Sequence, residues 1–116
     1  MTGGYKNLIV WQKAKLLAIE VYKLTDNFPK SEVYGISSQM RRAAVSIPSN
    51  IAEGYRRHHH KEQLQFFRIA FGSGAELETQ IEISKEIFPQ YKLNFTKVEI
   101  LLEEIMKILN KLTLAD

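Results

Sequence analysis

The stretch AAVSIPSNIAEGYRR, residues 43–57, decides how the chain divides into helices. Its beginning favours a helix, but Pro48 removes a backbone N–H group and thereby favours a helix end or a kink. Asn50 and Glu53 have the spacing of a capping box, which would start a new helix after a break. Three interpretations therefore compete: a loop between two helices, a break with a new start at Asn50, and one helix kinked at Pro48.

Hydrophobic residues keep a helical spacing straight through Pro48. They recur every three or four residues, which places their side chains on one face of an α-helix, and a loop would usually reset this phase. We therefore predict one helix over residues 34–57, kinked where Pro48 removes the hydrogen bond to the carbonyl group of Ala44. The apolar positions are Ile36, Met40, Ala43, Ile47, Ile51 and Gly54.

Three further helices are predicted on either side of this one. Asn7 is the expected cap of a helix over residues 8–27. Ser31 or Glu32 reopens the chain before the helix that contains Pro48, and Ser31 is the better cap. Residues 61–88 follow the heptad spacing of a bundle seam, and residues 95–113 form a fourth amphipathic segment. The sequence shows no strand pattern and its connections are short, so neighbouring helices should be antiparallel. Residues 1–116 are predicted to form a single all-α domain, an up-down four-helix bundle.

Composition indicates an ordinary globular protein. The hydrophobic fraction is 45% and the charged fraction 25%, values that argue against disorder. The absence of cysteine excludes disulfides and thiolate metal sites. No segment has the roughly 18 apolar residues that a membrane span needs, and the first residues lack the apolar run of a signal peptide. The expected location is cytoplasmic, without a membrane partner.

Charge is unevenly distributed along the chain. Residues 41–68 contain six Lys and Arg against two acidic residues, whereas residues 76–104 contain seven acidic against three basic residues. A basic region can bind nucleic acid, an acidic partner, or the acidic part of a second copy; a mixed solvated surface is the plainer interpretation. Tyr55, beside two arginines, is the best candidate for stacking on a base. The nucleic-acid-binding candidates are Arg41, Arg42, Tyr55, Arg56, Arg57, His58, Lys61 and Arg68.

A second group of residues suggests close helix contacts. Ser46, Ser49 and Asn50 share the side of the second helix opposite its isoleucines, although they are poor helix formers. Either they bond backbone groups freed by the proline and pack against another helix, or they line a ligand or subunit contact. Glycines inside the third helix each cost about 1 kcal/mol relative to alanine and usually permit close backbone approach. The structural or interface candidates are Ser46, Pro48, Asn50, Glu53, Gly72, Gly74 and Glu76.

The sequence contains no motif for catalysis or for cofactor binding. Glu53 and Glu76 could form an acid–base pair only if the fold brought them together, and nothing in the sequence does so. Ion pairing with arginines is the plainer explanation for each of them. The three histidines of residues 58–60 point about 100° apart on a helix, so they do not converge as zinc ligands do. Gly72-Ser73-Gly74 follows no strand and is not a phosphate loop. We therefore predict no catalytic residue, no metal site and no cofactor.

Four motifs in the same order resemble those of a bacterial protein family, the 23S rRNA-intervening sequence proteins. They are LxVWQKA at residues 8–14, FPKxExYG at 28–35, QMRRAAVSIPSNIAEG at 39–54 and GSxxELETQ at 72–80. The resemblance covers nearly the whole chain, and the long SIPSNIAEG run makes it specific. The segment after Gly54, with its three histidines, is individual to this chain.

The resemblance implies four antiparallel helices per chain, assembly as a ring-shaped homopentamer, and a basic surface proposed to bind nucleic acid. It also implies similarity to accessory proteins of diversity-generating retroelements, which work with a reverse transcriptase and its RNA. No catalytic residues are established for the family. We therefore expect a non-enzymatic oligomer that binds RNA or DNA, mostly through phosphates. The alternative is a structural or adaptor oligomer that docks on a protein partner such as a reverse transcriptase.

Overall fold

A computed structural model describes residues 4–114 of the chain and shows four α-helices and no strand in that range. Short 3-10 turns occupy Gly4–Asn7, Lys30–Glu32 and Pro89–Tyr91. The prediction of an all-α chain with four helices is confirmed. The helices are α1 (Ile9–Thr25), α2 (Ile36–Tyr55), α3 (His60–Ile87) and α4 (Thr96–Thr113).

Successive helices run in opposite directions, and α4 closes the bundle by packing against α1. Lys13 Nζ in the first turns of α1 lies 3.0 Å from Glu104 Oε1 of α4. Lys97 Nζ at the start of α4 lies 3.4 Å from Glu20 Oε2 towards the end of α1. These two contacts fix the antiparallel direction of the pair. Each helix therefore contacts two neighbours, as in an antiparallel four-helix bundle.

Helix α2 passes Pro48 without interruption. Ile47 and Ile51, on either side of the proline, have no exposed surface. The continuous helix excludes both the loop and the new start at Asn50. A continuous apolar face is enough to keep a proline-containing segment helical, because its burial outweighs the one lost hydrogen bond. The kink at Pro48 stays a prediction.

The two predicted caps are wrong. Asn7 is the last residue of the first 3-10 turn, and Leu8 precedes α1 without a side-chain cap bond. Ser31 lies inside the second 3-10 turn, so α2 starts only after Gly35. In both places the turn continues into the helix start, where turn carbonyl groups accept hydrogen bonds from Leu8 N and Gly35 N. At α2 the amide of Ile36 also donates to Glu32 Oε1 at 3.5 Å, so a side chain of the turn, and not Ser31, accepts from the first helical amide.

The core lies between the four helices and is closed at one end by aromatic rings. Phe28, after α1, packs edge-on against Phe88 at a centroid distance of 5.1 Å and lies 6.4 Å from Phe95. These rings join the end of α1, the end of α3 and the start of α4. The opposite end of the bundle carries the end of α2, the start of α3 and the end of α4, and it is this end that holds most of the candidate residues.

Candidate nucleic-acid interface

Helix directions bring basic residues from four separate segments to one end of the bundle. The start of α1, the end of α2, the start of α3 and the end of α4 meet there. We call this region the basic end. One of its cations, Lys107, has an acidic neighbour: Lys107 Nζ lies 3.8 Å from Glu103 Oε2. The cations of the basic end are Lys6, Arg56, Arg57, Lys61, Arg68, Lys107 and Lys111.

Three of these cations were missed by the sequence analysis. Lys6, Lys107 and Lys111 lie far from the basic stretch in the chain, so no local charge count could join them to it. The signal that could have found them was the predicted topology itself. An up-down order of four helices puts the start of α1 and the end of α4 beside the connection between α2 and α3.

The connection between α2 and α3 projects beyond α4. Arg68 Nη2 lies 3.5 Å from the carbonyl oxygen of Thr113, the last residue of α4. The part of α3 that precedes Arg68 therefore extends about 12 Å past the end of α4, at 1.5 Å per residue. We call residues 55–63, which form this projection, the tip. The tip exposes charged side chains on several sides.

Arg57 holds the tip in shape. Its guanidinium group forms an ion pair with Glu53 one turn earlier and lies 4.8 Å from the ring centroid of Phe66. Its backbone carbonyl oxygen accepts a 2.9 Å hydrogen bond from Nε2 of Gln63. Arg57 Nε is buried without a hydrogen-bond acceptor among the described residues. The side chain of Arg57 therefore stabilises the turn between α2 and α3 through contacts within the protein.

Arg56, His58 and Lys61 are three of the outward residues of the tip, which also exposes His59, His60 and the carboxylate of Glu62. All three are exposed, and within residues 4–114 neither Arg56 nor Lys61 forms an ion pair. Tyr55, the last residue of α2, keeps 42% of its surface exposed. The tip therefore presents two available cations and an accessible aromatic ring on a turn that Arg57 fixes.

Arg41 joins α1 to α2 and lies apart from the tip. Its Nε donates to Thr25 Oγ1 at 2.8 Å, and its Nη2 donates to Asp26 Oδ1 at 3.0 Å. The guanidinium group also lies 4.5 Å from the ring centroid of Tyr22. Arg42 is exposed, but about 21 Å of helix separates it from Arg56. The predicted basic residues are therefore two groups, and only the second belongs to the basic end.

Small polar residues join α2 to α3 near the middle of the bundle. Asn50 Nδ2 donates to the Ser46 carbonyl oxygen at 2.8 Å and to Ser46 Oγ at 3.0 Å. Ser46 Oγ lies 2.8 Å from Ser73 Oγ of α3. Among the described residues no side-chain hydrogen bond reaches the carbonyl group of Ala44, which Pro48 leaves without its helical donor. These residues therefore link two helices and do not repair the backbone at the proline.

The glycines and carboxylates of the second candidate group lie at different levels. A Cβ atom at Gly74 would meet Met106 of α4, whereas one at Gly72 would have no other atom within 4 Å. Glu76 lines an open cleft of about 240 Å³ beside Ser46. Glu53 is about 10 Å further along α2 and pairs with Arg57. The structure does not bring the two carboxylates together as an acid–base pair.

The acidic part of the chain forms a groove between α3 and α4. Its volume is about 360 Å³. Lys85 bridges Glu82 and Glu99, and the hydrogen bond to Glu99 raises the pKa of the Lys85 ammonium group above its ordinary value. The groove lies on a side of the bundle, away from the tip. Its acidic residues are Glu78, Glu82, Glu99 and Glu103.

Neither a metal cluster nor a membrane helix is found in the described part of the chain. In residues 4–114 no three His, Asp or Glu side chains converge in a way that could hold a metal ion. No helix there is both long enough and apolar enough to cross a bilayer.

Comparison with known proteins gives one family. A family model described as 23S rRNA-intervening sequence protein matches residues 6–111, which include all four helices. A search of curated proteins gives no significant match.

Proposed function

Because the chain belongs to the 23S rRNA-intervening sequence protein family, we propose that it is a non-enzymatic, self-associating protein that binds RNA or DNA through its basic end. One observation carries the proposal: cations from four chain segments meet at one end of the bundle. Arg56 and Lys61 are cations on its projecting tip that form no ion pair among the described residues, and Glu62 is an exposed carboxylate beside them. The proposal places the protein in the cytoplasm, a reducing compartment that agrees with the absence of cysteine.

Binding at such a surface is dominated by phosphates. Lys and Arg side chains that neutralise phosphates release counterions, so affinity falls as salt rises. The sequence contains no recognisable base-reading motif, and phosphate contacts by themselves carry little sequence information. The expected behaviour is therefore strong salt dependence with weak sequence preference.

Replacing Arg56 and Lys61 together with alanine is expected to weaken binding about 10- to 100-fold at about 50 mM salt. Each lost phosphate contact also lowers the slope of log affinity against log salt by about 0.7–0.9. Fluorescence anisotropy with a labelled RNA and a labelled DNA across a salt series measures both quantities. The matched control replaces Lys23 and Lys30, two exposed lysines at the opposite end, and should leave both quantities nearly unchanged. Absence of binding at low salt, or equal losses in the two double variants, would contradict the proposal.

Self-association is supported by the separation of charge. The acidic groove of one copy can contact a basic surface of the next copy outside the tip, such as the exposed Arg42, so that Arg56 and Lys61 stay available to nucleic acid. A contact between two different surfaces closes into a ring when the rotation allows it, and the family resemblance favours five copies. Light scattering is expected to give five times the 13.4 kDa mass of one chain. A monomer mass at micromolar concentration would refute the assembly.

The second candidate function is an adaptor whose basic end docks on an acidic protein surface, such as that of a reverse transcriptase. The exposed Arg56 and Lys61 would then contact acidic residues of the partner protein. The ratio of absorbance at 260 and 280 nm after mild purification separates the two functions. Co-purified nucleic acid favours nucleic-acid binding, whereas a clean protein with no affinity for RNA or DNA favours the adaptor.

A further inference from the structure

We infer that the tip selects unpaired nucleotides, in single strands, loops or ends, over double helices. This inference rests on the proposed function and adds the class of nucleic acid to it. Its basis is the combination of an accessible aromatic ring, available cations and a fixed turn at a part of the bundle that projects beyond the end of α4.

Tyr55 supplies an aromatic surface that the packing of the fold leaves partly exposed. As the last residue of α2 it keeps 42% of its surface exposed, and Arg56 follows it directly. Aromatic side chains in basic surroundings stack on bases with little regard to sequence, because every base has a flat face. In a double helix these faces are already stacked on one another. Tyr55 can therefore stabilise binding only where a base is unpaired.

The turn that carries these groups is held before binding. Arg57 is tied to Glu53 and lies against the ring of Phe66, and Gln63 bonds the carbonyl oxygen of Arg57. A fixed turn loses little conformational freedom when a ligand binds, which favours affinity. Arg56 and Lys61 are then free to reach phosphates on either side of a base placed on Tyr55.

Phosphate contacts are open to a duplex and to a single strand alike, so they do not distinguish the two. The tip has two cations without ion-pair partners among the described residues, Arg56 and Lys61, and charge alone supplies mainly non-specific, salt-sensitive binding. Stacking adds about 1–3 kcal/mol per base, which is about 5- to 150-fold in affinity. The expected order of affinity is therefore single strand over duplex, with a difference that depends on Tyr55.

The test compares a single-stranded RNA of about twelve uridines with an RNA duplex of the same length. Anisotropy is measured at one salt concentration for the unmodified protein and for Tyr55→Leu, Tyr55→Phe and Arg56→Ala. We expect the single strand to bind about tenfold more tightly. Tyr55→Leu should weaken single-strand binding at least about 5-fold and duplex binding less than about 2-fold, and Tyr55→Phe should preserve both. Arg56→Ala should weaken both. Circular dichroism checks that each variant keeps its helix content.

Two results separate the inference from the proposed function. Equal affinity for the single strand and the duplex, or an equal effect of Tyr55→Leu on both, would overturn the preference for unpaired bases and leave phosphate binding standing. Failure to bind both RNAs and also the single-stranded and duplex DNAs of the same length would overturn the proposed function itself.

Discussion

Replacing Ile51 with alanine is expected to lower the free energy of unfolding by about 2–5 kcal/mol. Ile51 has no exposed surface and lies in α2 one turn beyond the backbone bond that Pro48 removes. Its side chain helps to keep this weakened turn of the helix against the core. The substitution removes buried methyl and methylene groups and leaves a cavity that the close-packed core fills only in part.

Urea denaturation followed by circular dichroism measures this loss, at one protein concentration, because self-association would make stability depend on concentration. Ile100→Ala is the matched control. Ile100 lies in α4 with 54% of its surface exposed, so the same chemical change there should alter the free energy of unfolding by less than about 0.5 kcal/mol. Similar losses at the two positions would show that α2 does not pack as described.

Replacing Gly54 with leucine should destabilise the fold by about 3 kcal/mol, near the upper end of the range for overpacking. A Cβ atom at Gly54 would lie 2.8 Å from Cε1 of Phe67 and 3.0 Å from Cβ of Phe66. A side chain at this position therefore requires the rings of Phe66 and Phe67, or α3 itself, to shift away from α2 just before the tip.

Gly72→Leu in α3 is the control for Gly54→Leu, because nothing lies within 4 Å of a Cβ atom there. An interior glycine costs about 1 kcal/mol relative to alanine or leucine in a helix. The Gly72 variant should therefore be as stable as the unmodified protein or up to about 1 kcal/mol more stable. Thermal unfolding of the two variants side by side tests this, and a stability loss at Gly72 matching that at Gly54 would refute the explanation by close packing.

The course of α2 could be predicted because its deciding signal is periodic. Ile47 and Ile51 belong to a face that continues through Pro48, and the energy of burying such a face exceeds the effect of one missing hydrogen bond. Helix starts were harder to predict. Asn7 and Ser31 have the right side chains for caps, but the 3-10 turns satisfy the amides near the helix starts first. A turn of this kind leaves no periodic signal in the sequence.

The candidate site was predictable only in part, for a similar reason. Arg56 and Lys61 lie close together in the chain, so a local count of charges found them. Arg41 has the same charge, yet it points to α1 and is bound by Thr25 and Asp26. Lys107 lies far from Arg56 and Lys61 in the chain and could be placed beside them only from the predicted order of the helices. Side-chain orientation and contacts between distant segments depend on tertiary packing, which a single sequence does not state.

The closure of α1 against α4 has a consequence for the order of folding. The other three helix pairs are neighbours in the chain, so a short connection brings them together. The α1–α4 pair instead joins residues such as Lys13 and Glu104, which most of the chain separates. The entropy lost on closing a loop grows with its length, and such contacts slow the formation of a native topology. We therefore expect the hairpin-like pairs to form early, and the seam between the two chain ends to set the folding rate.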